Sequence, residues 1–552
     1  SAVHRRNSSS LPAGQPNRGR PWRLLQAAWG IVLLLCAEVS GNAFESGASP
    51  GLLLDEALFA PLAFQAEQLP SPNSVLAPDQ PGTIRRWAGE LLAGSGDPQG
   101  PVLDPNQVGN VRGRLAAFED AGANLPIVQL SGFFQLDDGL FSQPAASRER
   151  LGDIQDGLSF RRTRLQAVGQ LTEFVDFTIM LDFSLQGRPS FGDVWGEQSE
   201  IPFLGTVRIG QFRPPSTMEG WTSVRHLEFL ERSTPYQAFN PHRRIGAMAY
   251  AMSDNERTSW AACVYGTGLT FWDGTDMVYQ TFGDNRTGIQ IGDNGGVTFS
   301  SRITHLVHYD EPSEGRSLLH VGAGYVYSQL GGEGTSGPFA KTYNSQVLPE
   351  FFVGDPAGGG RTAAGTPFVL STGRILANDF SLYHVELAGN AGQFHFQSEV
   401  LLEAVNQRGG PTMLQPGAYA QCGYFLTGEH PGYLKEPGVF DYNVVPFSPF
   451  FGTGRHGGVR GWGAWEVAFR WSYLDLSCTN LNPANEISDP ARRYEQPPVP
   501  NFGVLNESTL ALNWWWNRFT RVQLNWIHSM PDSLGSGPAP FDIVGTRFQV
   551  EF

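Results

Sequence analysis

From Ile127 onward the chain alternates apolar and polar side chains in one segment after another. Between Phe174 and Gln186, Val175, Phe177, Ile179, Leu181, Phe183 and Leu185 oppose Asp176, Thr178, Met180, Asp182, Ser184 and Gln186. A strand has a side-chain period of two, so these six dyads predict one apolar and one polar face. The segment Asp542 to Phe552 repeats the pattern, with Val544, Thr546, Phe548, Val550 and Phe552 against Gly545, Arg547, Gln549 and Glu551. Near Ile127, Val128, Leu130, Phe134 and Leu136 alternate with Gln129, Ser131, Phe133 and Gln135, and Leu158 to Leu171 follows as a further strand.

The same reading places strands at Leu204 to Phe212, Arg244 to Met252, Thr258 to Phe271, Val297 to Tyr309, Arg316 to Gln329 and Phe380 to Ala388. Others fall at Gly392 to Val405, Pro416 to Leu426, Trp462 to Leu476, Glu507 to Asn517 and Phe519 to His528. These make fifteen, and a sixteenth is expected near Met277 to Phe282 or Thr287 to Ile291. The expected fold is all-β: a transmembrane antiparallel β-barrel of about 16 strands behind a flexible N-terminal leader. The long segments Glu333 to Arg361 and Pro431 to Gly458 are expected as outer loops. Trp465, Trp471, Trp514, Trp515, Trp516 and Trp526 suit the aromatic girdles of such a barrel. The alternative is a large soluble β protein in which they are core aromatics.

Composition sharpens this picture. After the first 50 of 552 residues, no apolar run approaches the roughly 20 residues a membrane helix needs. Residues 1–43 carry Arg5, Arg6, Arg18, Arg20 and Arg23, then the apolar run Ile31 to Leu35 and the small-residue site Gly41-Asn42-Ala43. They read as a signal peptide, with a single-pass anchor as the alternative. Cys36 follows leucines and does not fit a lipoprotein site. Residues 44–124 are rich in Pro, Gly and Ala and read as a flexible periplasmic leader, or else a small folded segment or plug; 125–552 would be the barrel. Loss of residues 1–43 moves the formal charge from -15 to -19, which argues against a nucleic-acid partner. Cys263, Cys422 and Cys478 would remain, with no metal-binding spacing.

Lys341 and Lys435 are the only lysines, so cationic chemistry falls to arginine, whose planar group suits phosphate and carboxylate. On Leu158 to Leu171, Arg162, Arg164 and Gln166 share one face, opposite Leu165, Ala167 and Leu171. A charge at the lipid midplane costs roughly 2–4 kcal/mol, which turns Arg162 and Arg164 toward a lumen. The same parity makes Arg208, Arg470, Arg547, Arg521 and Arg244 lumenal candidates. For each, the plainer role is a wall residue holding a neighbouring carboxylate, and Asp176, Asp182, Glu386, Glu399, Glu466 and Glu551 share those faces. The segment Gln211 to Arg244 has Pro214, Pro215, Pro235 and Pro241 and cannot form two central strands. It carries Arg213, Arg225, Arg232, Arg243 and Arg244 beside Glu219, Glu228 and Glu231.

Five stretches resemble the phosphate-selective porin family, the outer-membrane porins O and P. They are Phe160 to Leu165; Val207 to Pro215; Leu227 to Ser233 with Arg243 to Gly246; Gly463 to Leu476; and the pair Leu510 to Trp514 and Val522 to His528. The likeness covers about Ile127 to Phe552. It implies a sixteen-stranded homotrimeric porin of the bacterial outer membrane, with a loop folded into the lumen, for which Gln211 to Arg244 is the candidate. It also implies that Phe552 is the ending read by the barrel-assembly machinery, and that the wall contacts outer-membrane lipid. Phosphate selectors of the family use a lysine cluster with an arginine ladder, and here lysine is scarce.

The expected function is passive diffusion of small hydrophilic solutes, with small inorganic anions or phosphate as the refined expectation. Arg162, Arg164, Arg208, Arg213, Arg225, Arg243, Arg244, Arg470 and Arg547 are the pore-lining candidates. No nucleophile elbow, H-E-x-x-H or phosphate-cradling motif occurs, so no enzyme, cofactor or metal is expected. His305 and His308 are expected on opposite strand faces, a poor metal pair. A barrel hydrolase and a surface adhesin are the alternatives.

Overall fold

The computed structural model describes residues 125–184, 190–239, 241, 243–266, 296–331, 341–353, 366–450, 461–487 and 501–552. Sixteen strands form the wall. They are β1 Ile127–Ser142, β2 Gly157–Thr172, β3 Val175–Asp182, β4 Ser190–Ile201, β5 Gly205–Phe212, β6 Arg244–Met252, β7 Thr258–Gly266 and β8 Val297–Tyr309. Then come β9 Ser317–Gln329, β10 Arg374–Ala391, β11 Phe394–Gln407, β12 Met413–Phe425, β13 Ala464–Asp475, β14 Gly503–Asn517, β15 Thr520–Ser533 and β16 Phe541–Glu551. Each pairs antiparallel with its chain neighbours, and β1 closes on β16 in a register running from Phe133 opposite Glu551 to Ser142 opposite Asp542. Closure leaves no wall edge unpaired, the condition for strands to stand in lipid.

The dyads carry through to the wall. Leu130 is 67% exposed and Ile209 65% exposed, whereas Gln523, Thr509 and Asn513 are each 0% exposed. Apolar side chains therefore point outward and polar ones into a filled lumen. All fifteen expected segments contain a wall strand, and the sixteenth is β4. The expectation at Met277 to Phe282 or Thr287 to Ile291 lies outside the described residues, as does the end of the Thr258 to Phe271 segment. Two features of β4 blur its alternation. Gly192 and Gly196 interrupt it, and its Trp195 packs inward with Phe212 and Met248.

Antiparallel order assigns every connection to one of two ends. The end holding the start of β1 and the end of β16, called here the terminal end, has short turns such as 173–174, 392–393 and 518–519, with 426–463 as the long exception. The far end carries α1 Ala145–Leu151 and the long connections 213–243 and 330–373. Within 213–243 lie α2 Met218–Trp221 and α3 Thr234–Phe239.

The expectation that Glu333 to Arg361 and Pro431 to Gly458 are both outer loops is corrected: they leave opposite ends, and residues 341–353 and 431–444 are largely buried within the barrel, while Val445 and Phe447 are exposed. Phe351 joins Leu230, Leu382, Leu505 and Ile543 in one cluster, while Tyr433, Phe440 and Tyr442 join Met218 and Trp515 in another. Their aromatic content explains the inward course, because in an outer loop those rings would meet water. The parity expectation for His305 and His308 also fails, since a bulge between Leu306 and His308 leaves both exposed. Their partners are separate: Thr258 for His305 and Ser317 for His308.

Candidate functional site

The candidate site is the lumen, and the 213–243 segment is strung across it. Glu231 in that segment meets three guanidinium groups, Arg161 at 2.9 Å, Arg162 at 2.8 Å and Arg547 at 3.0 Å. Arg547 also grips both oxygens of Asp137 at 2.7 Å, and Arg162 donates to Gln135 at 2.9 Å. The arms of such a bidentate pair are fixed by the planar fork. Arg161 and Arg162 are sequence neighbours that should oppose each other across a strand. A bulge in β2, where the register passes from Arg162 opposite Gln135 to Phe160 opposite Leu136, makes Arg161 the extra residue and lets both reach Glu231.

Arg164, Arg208 and Arg243 follow one plan, in which each charge meets an opposite one. Arg164 pairs with Asp182 at 2.7 Å, and Arg243 holds Asp193 at 2.8 Å. Arg208 pairs with Glu197 at 2.7 Å and lies 3.7 Å over the Trp195 ring. Arg244 is buried at the start of β6. Inside the loop, Arg213 donates to the Gly220 carbonyl at 2.9 Å, and Arg225 donates to Gln166 at 3.0 Å while covering the Phe133 ring at 4.7 Å. Arg521 on β15 donates to the Leu227 and Arg225 carbonyls at 2.8 Å each. Arg470 on β13 pairs with Glu350 at 2.7 Å and reaches Glu219 at 3.4 Å.

Thus Arg162 and Arg547 converge on one carboxylate, whereas Arg164 with Arg243, Arg208, and Arg470 occupy separate places. Sequence reasoning missed Arg161, hidden by the bulge it forms in β2, and Arg302, which pairs with Glu386 at 2.9 Å. Parity along β8 carried a usable signal for Arg302, since it falls on the face of Thr298, Ser300 and Thr304.

Strands β11, β13 and β14 carry carboxylates held largely by neutral groups. Glu399 accepts from the Met218 and Glu219 amides at 3.1 and 2.8 Å and from the Tyr419 hydroxyl at 2.5 Å. Tyr343 donates to Glu403, Asn513 donates to Glu466 at 2.6 Å, and the Glu350 amide donates to Glu507 at 3.0 Å. Two glycines on β9 make room for this wall: a Cβ on Gly322 would fall 2.0 Å from Glu386, and one on Gly324 would fall 2.1 Å from His384. Between the two walls a small space, with room for about one water molecule, is lined by Glu219, Glu228, Glu231, Arg470, Gln397 and Gln421, among others.

The loops from the two ends meet inside. His226 of the 213–243 segment contacts Asp441 at 2.6 Å and Glu551 at 3.2 Å, and Tyr442 donates to Glu228 at 3.1 Å. Burial opposes a charge on His226, but the Asp441 and Glu551 carboxylates prevail and raise its pKa to about 9. Burial likewise opposes charge on Glu231, yet Arg161, Arg162 and Arg547 hold it well below the usual carboxylate range. For Glu219 burial wins over Arg470, and its pKa is raised. Phe552 closes the seam, exchanging backbone hydrogen bonds with Gly132 at 2.8 and 2.9 Å.

The model of the family described as phosphate-selective porin O and P matches residues 128–345 and 360–552. A protein of Caulobacter vibrioides is 26% identical over 353 residues, spanning 63% of this chain and 61% of its own length. Porin O of Pseudomonas aeruginosa is 23% identical over 424 residues, covering 73% of this chain and 83% of that porin. Among solved structures, an anion-selective porin from Comamonas acidovorans superposes with a TM-score of 0.43 at 10% identity, over 77% of this chain and 100% of that one.

Proposed function

The chain belongs to the phosphate-selective porin O and P family and is an outer-membrane porin, and we propose that it passes small hydrophilic solutes by passive diffusion with a weak preference for anions, phosphate among them. The carrying observation is the 213–243 segment, strung between an arginine-bearing wall and a carboxylate-bearing one. A permeating ion sheds part of its hydration in such a space, and guanidinium groups replace it for anions. The carboxylates opposite restrain that preference.

In this reading Arg162, Arg164, Arg208, Arg213, Arg225, Arg243, Arg244, Arg470 and Arg547 shape the field, chiefly by holding loops and carboxylates in place. The terminal end faces the periplasm, which puts most long connections outside. Residues 1–43 serve as the signal peptide, 44–124 as the leader and 125–552 as the channel. The porin assembles as a homotrimer in outer-membrane lipid after the assembly machinery engages Phe552, and it catalyses no reaction.

The test is a planar bilayer with a KCl gradient across it, repeated with added phosphate. Stepwise conductance with a small anion-sided reversal potential, reduced by phosphate, is the expected result. A cation-sided potential removes the anion preference, and absence of conductance from folded protein removes the channel.

A further inference from the structure

One polar cluster joins the 213–243 segment to the carboxylate-bearing wall. Glu228 from the 213–243 segment, His395 on β11 and Glu466 on β13 are 2%, 0% and 0% exposed. Their inner atoms converge: His395 Nε2 lies 3.0 Å from Glu228 Oε1 and 3.1 Å from Glu466 Oε1, and all three lie within 4.8 Å of one another. Two carboxylates thus share one imidazole nitrogen. The ring contact is directed to Glu228, and Glu466 Oε1 is left buried with no hydrogen bond directed to it. Among the described residues neither carboxylate forms a salt bridge with an arginine or lysine, in contrast to Glu231 and Glu386 nearby.

The outer oxygens are differently placed. Glu228 Oε2 accepts from Gln421 at 2.6 Å and from Tyr442 at 3.1 Å, and Glu466 Oε2 accepts from Asn513 at 2.6 Å. These neutral donors orient each carboxylate so that its other oxygen faces the imidazole, the usual task of groups behind metal ligands. Space is kept open from a third side. Gly423 on β12 faces the cluster, and a Cβ there would stand 2.3 Å from His395 Nε2 and 2.5 Å from Glu228 Oε1.

From this arrangement we infer that Glu228, His395 and Glu466 form a binding site for a first-row divalent cation of the zinc type. One imidazole nitrogen and two carboxylate oxygens are a donor set such ions accept. Atoms bound at about 2.0–2.1 Å around a tetrahedral ion stand about 3.3 Å apart, so the 3.0 and 3.1 Å separations need only a small expansion. The fourth position opens on the space that Glu228, Gln421 and Tyr442 help to line. The ion neutralises the two carboxylates and ties the loop to β11 and β13.

The second cluster of this kind, His384 with Glu386 and Glu399, lacks the same demand. There Glu386 is paired with Arg302, and Glu399 accepts three hydrogen bonds.

The test uses the folded, detergent-purified porin after chelator dialysis, with heat-modifiable migration on gels as the check on folding. Titration with ZnCl2 followed by calorimetry and metal analysis should give one ion per chain. X-ray absorption of the bound zinc should show a nitrogen and oxygen shell with a single imidazole. Binding should weaken at least tenfold in His395→Gln, in Glu466→Gln and in Gly423→Ala, which retains every ligand but fills the space. It should persist in His384→Gln and in a His305→Gln/His308→Gln variant. Less than stoichiometric zinc on the folded wild-type protein, a shell with two or more imidazoles, or unchanged binding in a folded His395→Gln protein overturns the inference. The wild-type measurements decide the matter even where a variant does not fold, and they do not depend on conductance.

Discussion

Two sides of one barrel solve the same problem in different ways. Along β16 and β1 to β6, buried arginines are matched by carboxylates: Arg547 with Asp137, Arg162 with Glu231, Arg164 with Asp182 and Arg208 with Glu197. Along β11 to β14, Glu399, Glu403, Glu466 and Glu507 are met by amides, hydroxyls and side-chain amides. Both arrangements give these inward-pointing groups at least one partner, as burial demands, while Arg164 Nη1 donates no hydrogen bond and Glu403 Oε1, Glu466 Oε1 and Glu507 Oε1 accept none. The difference lies in what each side returns to the lumen. Ion pairs cancel most of their own field, so the arginine-bearing side returns little of the charge its composition promises, while the other side offers carboxylate oxygens held by neutral donors. An arginine count taken from sequence therefore says little about selectivity.

The sharpest way to break this comparison is to remove one member of a pair. Arg547→Ala leaves Asp137 and Glu231 buried beside an emptied site and should destabilise the barrel by about 3–5 kcal/mol. Urea unfolding followed by heat-modifiable migration measures it, and a loss under 1 kcal/mol would mean that the pairs are not what holds this wall.

The loop contact at His226 is the next largest effect. Its folded pKa, about 9, stands above the unfolded value near 6.5, so its stabilisation is complete below about 6.5 and is lost as pH rises through 9. The full contribution is on the order of 2–3 kcal/mol. Wild-type stability should decline across that window, and His226→Gln should flatten the decline; equal slopes would exclude His226 as the titrating group.

A smaller effect is expected from removing positive charge from the arginine-bearing wall. Replacing Arg162 and Arg164 together with Ala should move the KCl reversal potential toward cations by some millivolts, provided the variant folds. An unchanged potential would remove both from selectivity. Smallest of all is Glu403→Gln on the other wall. The Tyr343 hydroxyl that binds Glu403 also contacts Gln415, so the change should cost less than about 1 kcal/mol. A loss matching that of Arg547→Ala would erase the distinction between the walls.

The wall was legible in the sequence because lipid imposes a period of two on every strand, and Val175 to Leu181 shows it without interruption. β4 was not, because Trp195 turns its apolar ring inward to lie beneath Arg208. The direction of Arg162, Arg164, Arg470 and Arg547 was readable from parity, but their partners were not. Glu350, which holds Arg470, comes from a connection 120 residues away with no periodic pattern to place it. Bulges hid Arg161 and misplaced His308, since one extra residue resets parity beyond it. The lumen filling by 341–353 and 431–444 was masked by turn-rich surroundings, although Phe351, Tyr433 and Phe440 were the residues that argued against water.

The meeting of the two loops also bears on how this barrel can change over generations. Loops ordinarily drift freely in length, because surface segments gain and lose residues at little cost. Here 213–243 enters from one mouth and 426–463 from the other, and their tips bond through His226 to Asp441 and Tyr442 to Glu228. A deletion in either strands a buried polar group in the other. The two connections, more than 180 residues apart in the chain, are therefore expected to lengthen and shorten together across the family, while the short turns beside them vary independently.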